Sequence, residues 1–378
     1  MTTAVLPIGS ELKRKAWMRE GLIQAASKSF WSPMTGNSKD AVVYQENNIS
    51  ASAGHTVVFD FNGNITGKAI KGKRTAYGKG EQKRKFSDKI TVDRYRLVVD
   101  NGDEFDGVDI GDLNITQHSD SRAKLGDLFI RFKDQALFDT AQGNYGAAPS
   151  HVIDLQAAFT YGDLLDIEKI LRTSSGFTSG GVRRPLDPYM TADGEPVWMM
   201  VIDAAMANLL RQDSKYQAIV QHGDVRGNNN RNIKGVIGRL GRLLIVEASQ
   251  FFGFTTGTGA GWGLDDSEIE ISGLRQYDGA APASALWTGQ EGFDYESTDL
   301  HSRGLILGSG ALQLAMGKMP DYKYQESTDF GITSESAVEF WMESKKTNLT
   351  AENADYKQAK VADLDYGIVA VDVQVQTA

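Results

Sequence analysis

A stretch of 27 mostly polar and glycine residues sets the first limit on how this chain can fold. Thr56 to Phe61 and Lys89 to Val99 are rich in β-branched and aromatic residues and read as strands. Between them, Asn62 to Asp88 is dominated by glycine, lysine and arginine. Connections longer than about 12–15 residues are uncommon inside compact domains and are mostly functional or disordered. This one carries nothing apolar enough to hold it on a core, so it is expected to project from the body.

Its charge sharpens the point. Thr66 to Lys89 holds nine basic side chains (Lys68, Lys71, Lys73, Arg74, Lys79, Lys83, Arg84, Lys85 and Lys89) against Glu81 and Asp88, a net +7. The whole chain is −9, so the remainder, with 31 basic and 47 acidic residues, is −16. The sign reverses directly afterwards: Asp100, Asp103, Glu104, Asp106, Asp109 and Asp112 fall within 13 residues without a cation among them. By themselves these six are either a solvated loop or a favourable approach to the positive N-terminal end of a helix. A positive segment on a negative body calls for a partner. Nucleic acid is one candidate, because lysine and arginine neutralise phosphates. Only Tyr77 and Phe86 stand ready to stack on bases, however, and the body repels a polyanion. The favoured partner is a second copy, whose acidic stretch complements the basic finger; a head-to-tail contact of that kind propagates into rings or lattices.

The rest of the chain supplies a body large enough to carry such a contact. Its 378 residues, 41% hydrophobic and 24% charged, suit a soluble globular protein with a sizeable core. Met1 to Ala53 reads as an extended arm with one helix opened by Ser10. Ser119 to Ala141 reads as a long helix, because Leu125, Leu128, Phe129, Phe132 and Ala136 make one apolar stripe. Asp120 with Lys124 and Asp127 with Arg131 are i,i+4 pairs on its other side, Ser119 or Ser121 caps its start, and Gly143 ends it. With a one-sided stripe it is expected to lie along a face of the body. A helix over Gly162 to Arg172 follows, then a Gly/Ser/Pro-rich linker from Thr173 to Pro196. Pro196 to Ile202 and Leu243 to Val246 read as buried strands. Asp203 is expected to cap one helix from Ala204 to about Gln221, stopped by Gly223. Gly223 to Asn232 and Phe251 to Gly263 read as loops. His301 to Gly317 reads as a helix packed through Gly304, Gly308, Ala311 and Ala315. Gly367 to Gln376 alternates and reads as a closing strand.

Chemical motifs fail one by one. There is no cysteine, which excludes disulfides, thiolate metal sites and a cysteine nucleophile. Gly63 to Ala69 has too few residues between its glycines for a phosphate loop, and Gly257 to Gly263 has the wrong spacing for a dinucleotide fingerprint. The histidines His55, His118, His151, His222 and His301 are scattered. No Gly-x-Ser-x-Gly elbow is present, and Asp265 to Glu270 does not match a calcium loop. No cofactor, metal or catalytic residue is assigned. Nothing resembles a signal peptide or a spanning helix, and the chain reads as a protein without a membrane partner.

The order of features resembles the major capsid protein of tailed bacteriophages, and certain stretches resemble its podovirus-type branch. They are Lys124 to Lys133, Pro196 to Asp203 with its helix to Asp213, Gly235 to Val246, Arg303 to Leu312, Asp329 to Gly331 and Asp365 to Val369. The resemblance implies an α+β capsid fold with an N-terminal arm over residues 1–53 and an extended β-loop with basic tip and acidic segment over 54–113. A peripheral domain with a long spine helix would cover 114–195, an axial domain 196–320, and strands returning to the peripheral domain 321–378. It implies a structural protein, not an enzyme, that assembles into hexamers and pentamers of an icosahedral head around double-stranded DNA. The shell would form in the host bacterial cytoplasm and end in the virion. The implied partners are further copies of the chain, a separate scaffolding protein and a portal, with room for a decoration protein and only weak nonspecific contact with DNA. The nine basic residues and the six carboxylates would face each other across subunits. A nanocompartment shell of the same fold and a basic-arm nucleic-acid-binding protein remain the alternatives.

Overall fold

In a computed structural model of the chain, the described residues are 29–38, 40–46, 56–62, 69–80, 85–103, 117–143, 149–155, 159–173, 178–179, 182–183, 186–191, 194–202, 204–222, 236–248, 301–326, 333–348, 350–351 and 365–374. The expected helix opened by Ser10, the loops at Gly223 to Asn232 and Phe251 to Gly263 and the Asp203 cap lie outside them, as does the Asp120 side chain of the expected pair with Lys124.

Runs of apolar residues place the central sheet. Its strands run in the order β11 (Val236–Leu240), β12 (Leu243–Glu247), β10 (Pro196–Ile202), β13 (His301–Leu307), β17 (Ile368–Gln374) and β6 (Val152–Leu155), with β9 (Tyr189–Met190) paired to β10. β10 has no polar residue because both of its faces are covered. Met199 and Val201 point into one core; Trp198, Met200 and Ile202 point into another. β13 and β17 divide in the same way, Leu305, Leu307 and Ile368 to the first side and Ile306, Val369, Val371 and Val373 to the second.

The second side is roofed by helices: α2 (Tyr161–Thr173), α3 (Ala204–Gln212) and α4 (Ser214–His222). Leu164, Ile167 and Leu171 of α2 and Met206, Ala207 and Leu210 of α3 fill that core. A capping box opens α2: the Thr160 and Asp163 side chains bond to each other at 2.7 Å, and Asp163 accepts the Thr160 N–H at 2.8 Å. One helix was expected from Ala204 to Gln221, but the chain breaks at Asp213. Its side chain accepts the Lys215 N–H at 3.1 Å, capping α4, and the Tyr161 N–H at 2.8 Å, tying α4 to the start of α2. An aspartate that satisfies two helix starts competes well with continuing the first helix.

The first core lies between the central sheet, helix α1 (Gln117–Gln142) and a five-stranded sheet in the order β1 (Thr35–Gly36), β2 (Val43–Glu46), β14 (Leu312–Glu326), β15 (Thr333–Lys346) and β5 (Asp93–Asp103). Phe340 of β15 meets Phe129 and Phe132 of α1 at ring distances of 4.7 and 5.6 Å. Gly143 ends α1 with φ 83° and donates to the Asp139 carbonyl at 3.0 Å. The helix does not stay on a face as its stripe suggested. Leu137, Phe138, Asp139, Thr140, Ala141 and Gln142 are all buried, because a second layer covers its back. Part of that layer is Ser29 to Met34, in the segment read as an arm. Trp31 is fully buried, with its ring 4.8 Å from Phe138. The Ser29 hydroxyl and the Phe30 N–H both donate to buried Asp134, at 2.7 and 2.6 Å. Burial pushes the Asp134 carboxyl up, against the pull of Lys133 and these donors.

The expected helix at His301 to Gly317 is instead β13, a turn and the start of β14. The small residues do allow close packing, but of strands. A Cβ at Gly304 would press on Met206 of α3 at 3.1 Å, and one at Gly308 would run into the Asp187 carbonyl. Two smaller sheets complete the fold: β3 (Thr56–Asn62) with β4 (Lys85–Thr91) and β16 (Thr350–Ala351), and the pair β7 (Thr178–Ser179) and β8 (Val182–Arg183).

Candidate inter-subunit surfaces

The basic segment is the connection of a β-hairpin. β3 and β4 pair antiparallel from Thr56 opposite Thr91 to Asn62 opposite Lys85. The run expected from Lys89 to Val99 is therefore two strands, β4 and β5, divided at Val92, which is buried. Alternation along β3 turns Val57 and Phe59 inward and leaves Thr56 and Val58 exposed. With Ile90, Val92 and Ala315 they form a small core, and Tyr44 meets Phe59 edge-on at 5.1 Å.

A buried carboxylate pins this base. Asp88 of β4 is only 3% exposed and accepts from the Lys89 N–H at 2.8 Å, the Asn348 N–H at 3.0 Å and the Lys345 ammonium. The root of the finger is thus fastened to the segment that follows β15, while residues 69–80 are exposed throughout.

Of the nine basic residues, Lys71, Lys73, Arg74 and Lys79 stand exposed at the tip, and Lys89 is exposed on β4 near the root. Lys85 lies on the β4 backbone; its side chain, like Lys68, Lys83 and Arg84, is outside the described residues. Of the six carboxylates, Asp100 is exposed on β5 opposite Glu335, and Asp103 lies on the β5 backbone opposite Thr333. Glu104, Asp106, Asp109 and Asp112 are outside the described residues. The acidic stretch therefore begins within a strand.

β5 carries a further charged group that the sequence reading missed, although the strand's alternation signals it. Tyr95, Leu97 and Val99 turn towards α1, so Arg94, Arg96, Val98 and Asp100 share the opposite, exposed face. On that face Glu339 of β15, nearly buried, accepts from Arg94 at 2.9 Å, Lys318 at 3.4 Å and the Lys323 ammonium. The Lys323 hydrogen bond, more than burial opposes it, holds the Glu339 carboxyl down to about 2; Arg94 and Lys318 add to this.

At the other end of α1, Arg303 of β13 grips Asp372 of β17 through two bonds of 2.6 and 2.7 Å and donates to the Gln142 carbonyl at 2.9 Å. It joins the helix terminus to the central sheet. Among the described residues no group of three or more histidine, aspartate or glutamate side chains could hold a metal ion, and no helix is long and apolar enough to cross a membrane.

The fold built from these elements is similar to that of solved phage heads. The head structure of Helicobacter pylori bacteriophage KHP40 superposes with a TM-score of 0.66 at 14% identity, over 93% of this chain and 91% of that one. The acidic stable capsid of Helicobacter pylori bacteriophage KHP30 gives 0.65 at 15% identity, over 91% and 90%. The capsid of Ralstonia phage GP4 gives 0.63 at 17% identity, over 99% of each chain. Residues 5–160 match the phage capsid protein family. No curated protein matches the chain. The chain thus has the fold of these phage capsid proteins, and its first part resembles the phage capsid protein family.

Proposed function

We propose that the protein closes into an icosahedral head of hexamers and pentamers around double-stranded DNA, and that the β3–β4 finger fastens neighbouring subunits. The observation that carries this reading is a rigidly rooted hairpin whose described tip, residues 69–80, is wholly exposed and bears four cations and no carboxylate. On the body carrying it the balance is −16, so the sister copy is the nearest counter-surface of opposite sign. The acidic stretch that starts at Asp100 is the proposed target. Exposed ion pairs contribute about 0–1 kcal/mol each, which suits a subunit that must anneal reversibly. Closure of many such contacts makes the sum large. Building the shell, not catalysis, is the work assigned to the chain. A separate scaffolding protein and a portal would complete the head in the host cytoplasm, and an acidic lining would let DNA move without sticking.

The test is Lys71→Glu with Lys73→Glu and Arg74→Glu. The variant is expected to fold with an unchanged circular dichroism spectrum and to sediment as small species, with no shells in electron micrographs. Normal shells from the triple variant would sink the assignment of the finger. Steep salt-dependent DNA binding by an unassembled wild-type chain would favour the nucleic-acid reading. Shells filled with an enzyme in place of DNA would favour a nanocompartment.

A further inference from the structure

Charge draws copies together but does not say what holds the fingertip once it arrives. Tyr77 is 94% exposed, against 37–62% for the other exposed large hydrophobic side chains among the described residues. It is presented, not dangling. The Lys79 N–H donates to the Ala76 carbonyl at 3.2 Å, closing a four-residue turn with Tyr77 second and Gly78 third. Gly78 has φ 75°, the positive value that a type II turn needs at its third position. A Cβ at Gly78 would meet nothing within 4 Å, so backbone conformation, not space, calls for glycine there. Lys71, Lys73, Arg74 and Lys79 are exposed on the same tip. An aromatic ring on a preset turn, in a tip that also exposes four cations, is the composition found at interface anchors, where tyrosine and arginine are enriched.

We infer that Tyr77 is the anchor of the finger: its ring inserts into a hollow on a second copy, apolar at its floor and rimmed by carboxylates, while the lysines and Arg74 guide the approach. The inference rests on the shell-building reading above. It divides the labour of the tip, since rim charges act on encounter rate and salt dependence whereas a buried ring acts on dissociation. Tyrosine suits the anchor because it carries a large apolar area with few rotatable bonds, and its hydroxyl tolerates water before assembly.

The experiment follows assembly of the full chain by light scattering and sedimentation at low and physiological salt. Tyr77→Ala is expected to raise the concentration needed for shells at least tenfold, with its salt dependence unchanged. Tyr77→Phe is expected to stay within about threefold of wild type. Gly78→Val, which keeps the ring but disfavours the turn, should lose most of the same affinity, and Gly78→Asn, which tolerates positive φ, should retain it. Circular dichroism checks each variant's fold. If Tyr77→Ala assembles like wild type while the Lys71/Lys73/Arg74 variant does not, the anchor is wrong and the finger stands. If both assemble normally, the finger reading fails with it. A loss in Tyr77→Phe equal to that in Tyr77→Ala would overturn ring burial in favour of a hydroxyl contact.

Discussion

Replacing Asp88 by alanine should free the finger without unfolding the body. The carboxylate accepts two backbone N–H groups, from Lys89 and Asn348, and the Lys345 ammonium, at a site 3% exposed. Hydrogen bonds to a charged group contribute about 1.5–3 kcal/mol each, and a buried donor left unpaired costs about 1–3 kcal/mol. Three full losses would overstate the change, because the Lys345 side chain is 42% exposed and can turn to water. A net cost of about 3 kcal/mol remains, roughly a hundredfold in the equilibrium for opening the hairpin. The small core beneath, with Val57, Phe59 and Ile90, is separate from the two large ones, so the opening should be local. Hydrogen exchange read by mass spectrometry is the assay. Amides of β3 and β4 should exchange about a hundredfold faster, those of β10 and β13 at the wild-type rate, and shells should form poorly. Asp88→Asn, which keeps one acceptor oxygen and the shape, should fall between. Unchanged exchange in β3 and β4 would refute the idea that this carboxylate pins the root, and equal acceleration across the central sheet would refute the idea that the root opens alone.

Three further outcomes follow from the charged and crowded sites. Glu339 is held at about 2, below its ordinary 4.5; its contribution is present above pH 4.5 and is lost as pH falls towards 2. With exposed Arg94 and Lys323 screened by solvent, about 2 kcal/mol of acid-sensitive stability should disappear over that window and be absent in Glu339→Gln, as read by denaturant titration against pH. Arg303→Met should cost about 2–3 kcal/mol in chemical denaturation, because it strands Asp372 and the Gln142 carbonyl at the end of α1, and Arg303→Lys should recover part of this. Gly367→Ala should lower the melting temperature by several degrees, since its Cβ would lie 2.7 Å from the Ala311 Cα and 3.0 Å from the Ser309 carbonyl, both backbone atoms that cannot swing aside; an unchanged melting point would show that the turn relaxes freely.

What the sequence made readable divides along solvent exposure. The apolar runs at Pro196 and Leu243 are too short for a helix and so read as buried strands. The helix from Gln117 and the helix from Tyr161 each carry a local pattern that only one element satisfies. So does the hairpin: a polar, glycine-rich tip between two β-branched runs has no competing reading, and its charge stands out because nothing in the body masks it. β13 failed for the opposite reason. With Leu305 and Leu307 facing one core and Ile306 and Gly304 the other, its run is apolar on both sides, and small residues four apart then imitate a helix face. The buried half of α1 escaped similarly, because Asp134, Gln135 and Asp139 look like a solvent face until partners such as the Ser29 hydroxyl are known.

The same reasoning bears on the acidic stretch. Asp100 sits on the exposed face of β5 across from Glu335, four residues from Arg96, while Arg94, Lys318 and Lys323 gather around Glu339, which stands opposite Arg96 further along that face. On the proposed docking, a finger carrying +7 would be repelled from the Arg94 end of the sheet and drawn to the Asp100 end. The strand's alternation would then give a direction to the attraction proposed between copies. If the finger docks where proposed, reversing Arg96 to glutamate should extend the attractive surface, favour shell assembly at low salt and steepen its salt dependence. An Arg96→Glu variant that assembles less well than wild type would mean that this face receives something negative, and the fingertip must then find its carboxylates elsewhere.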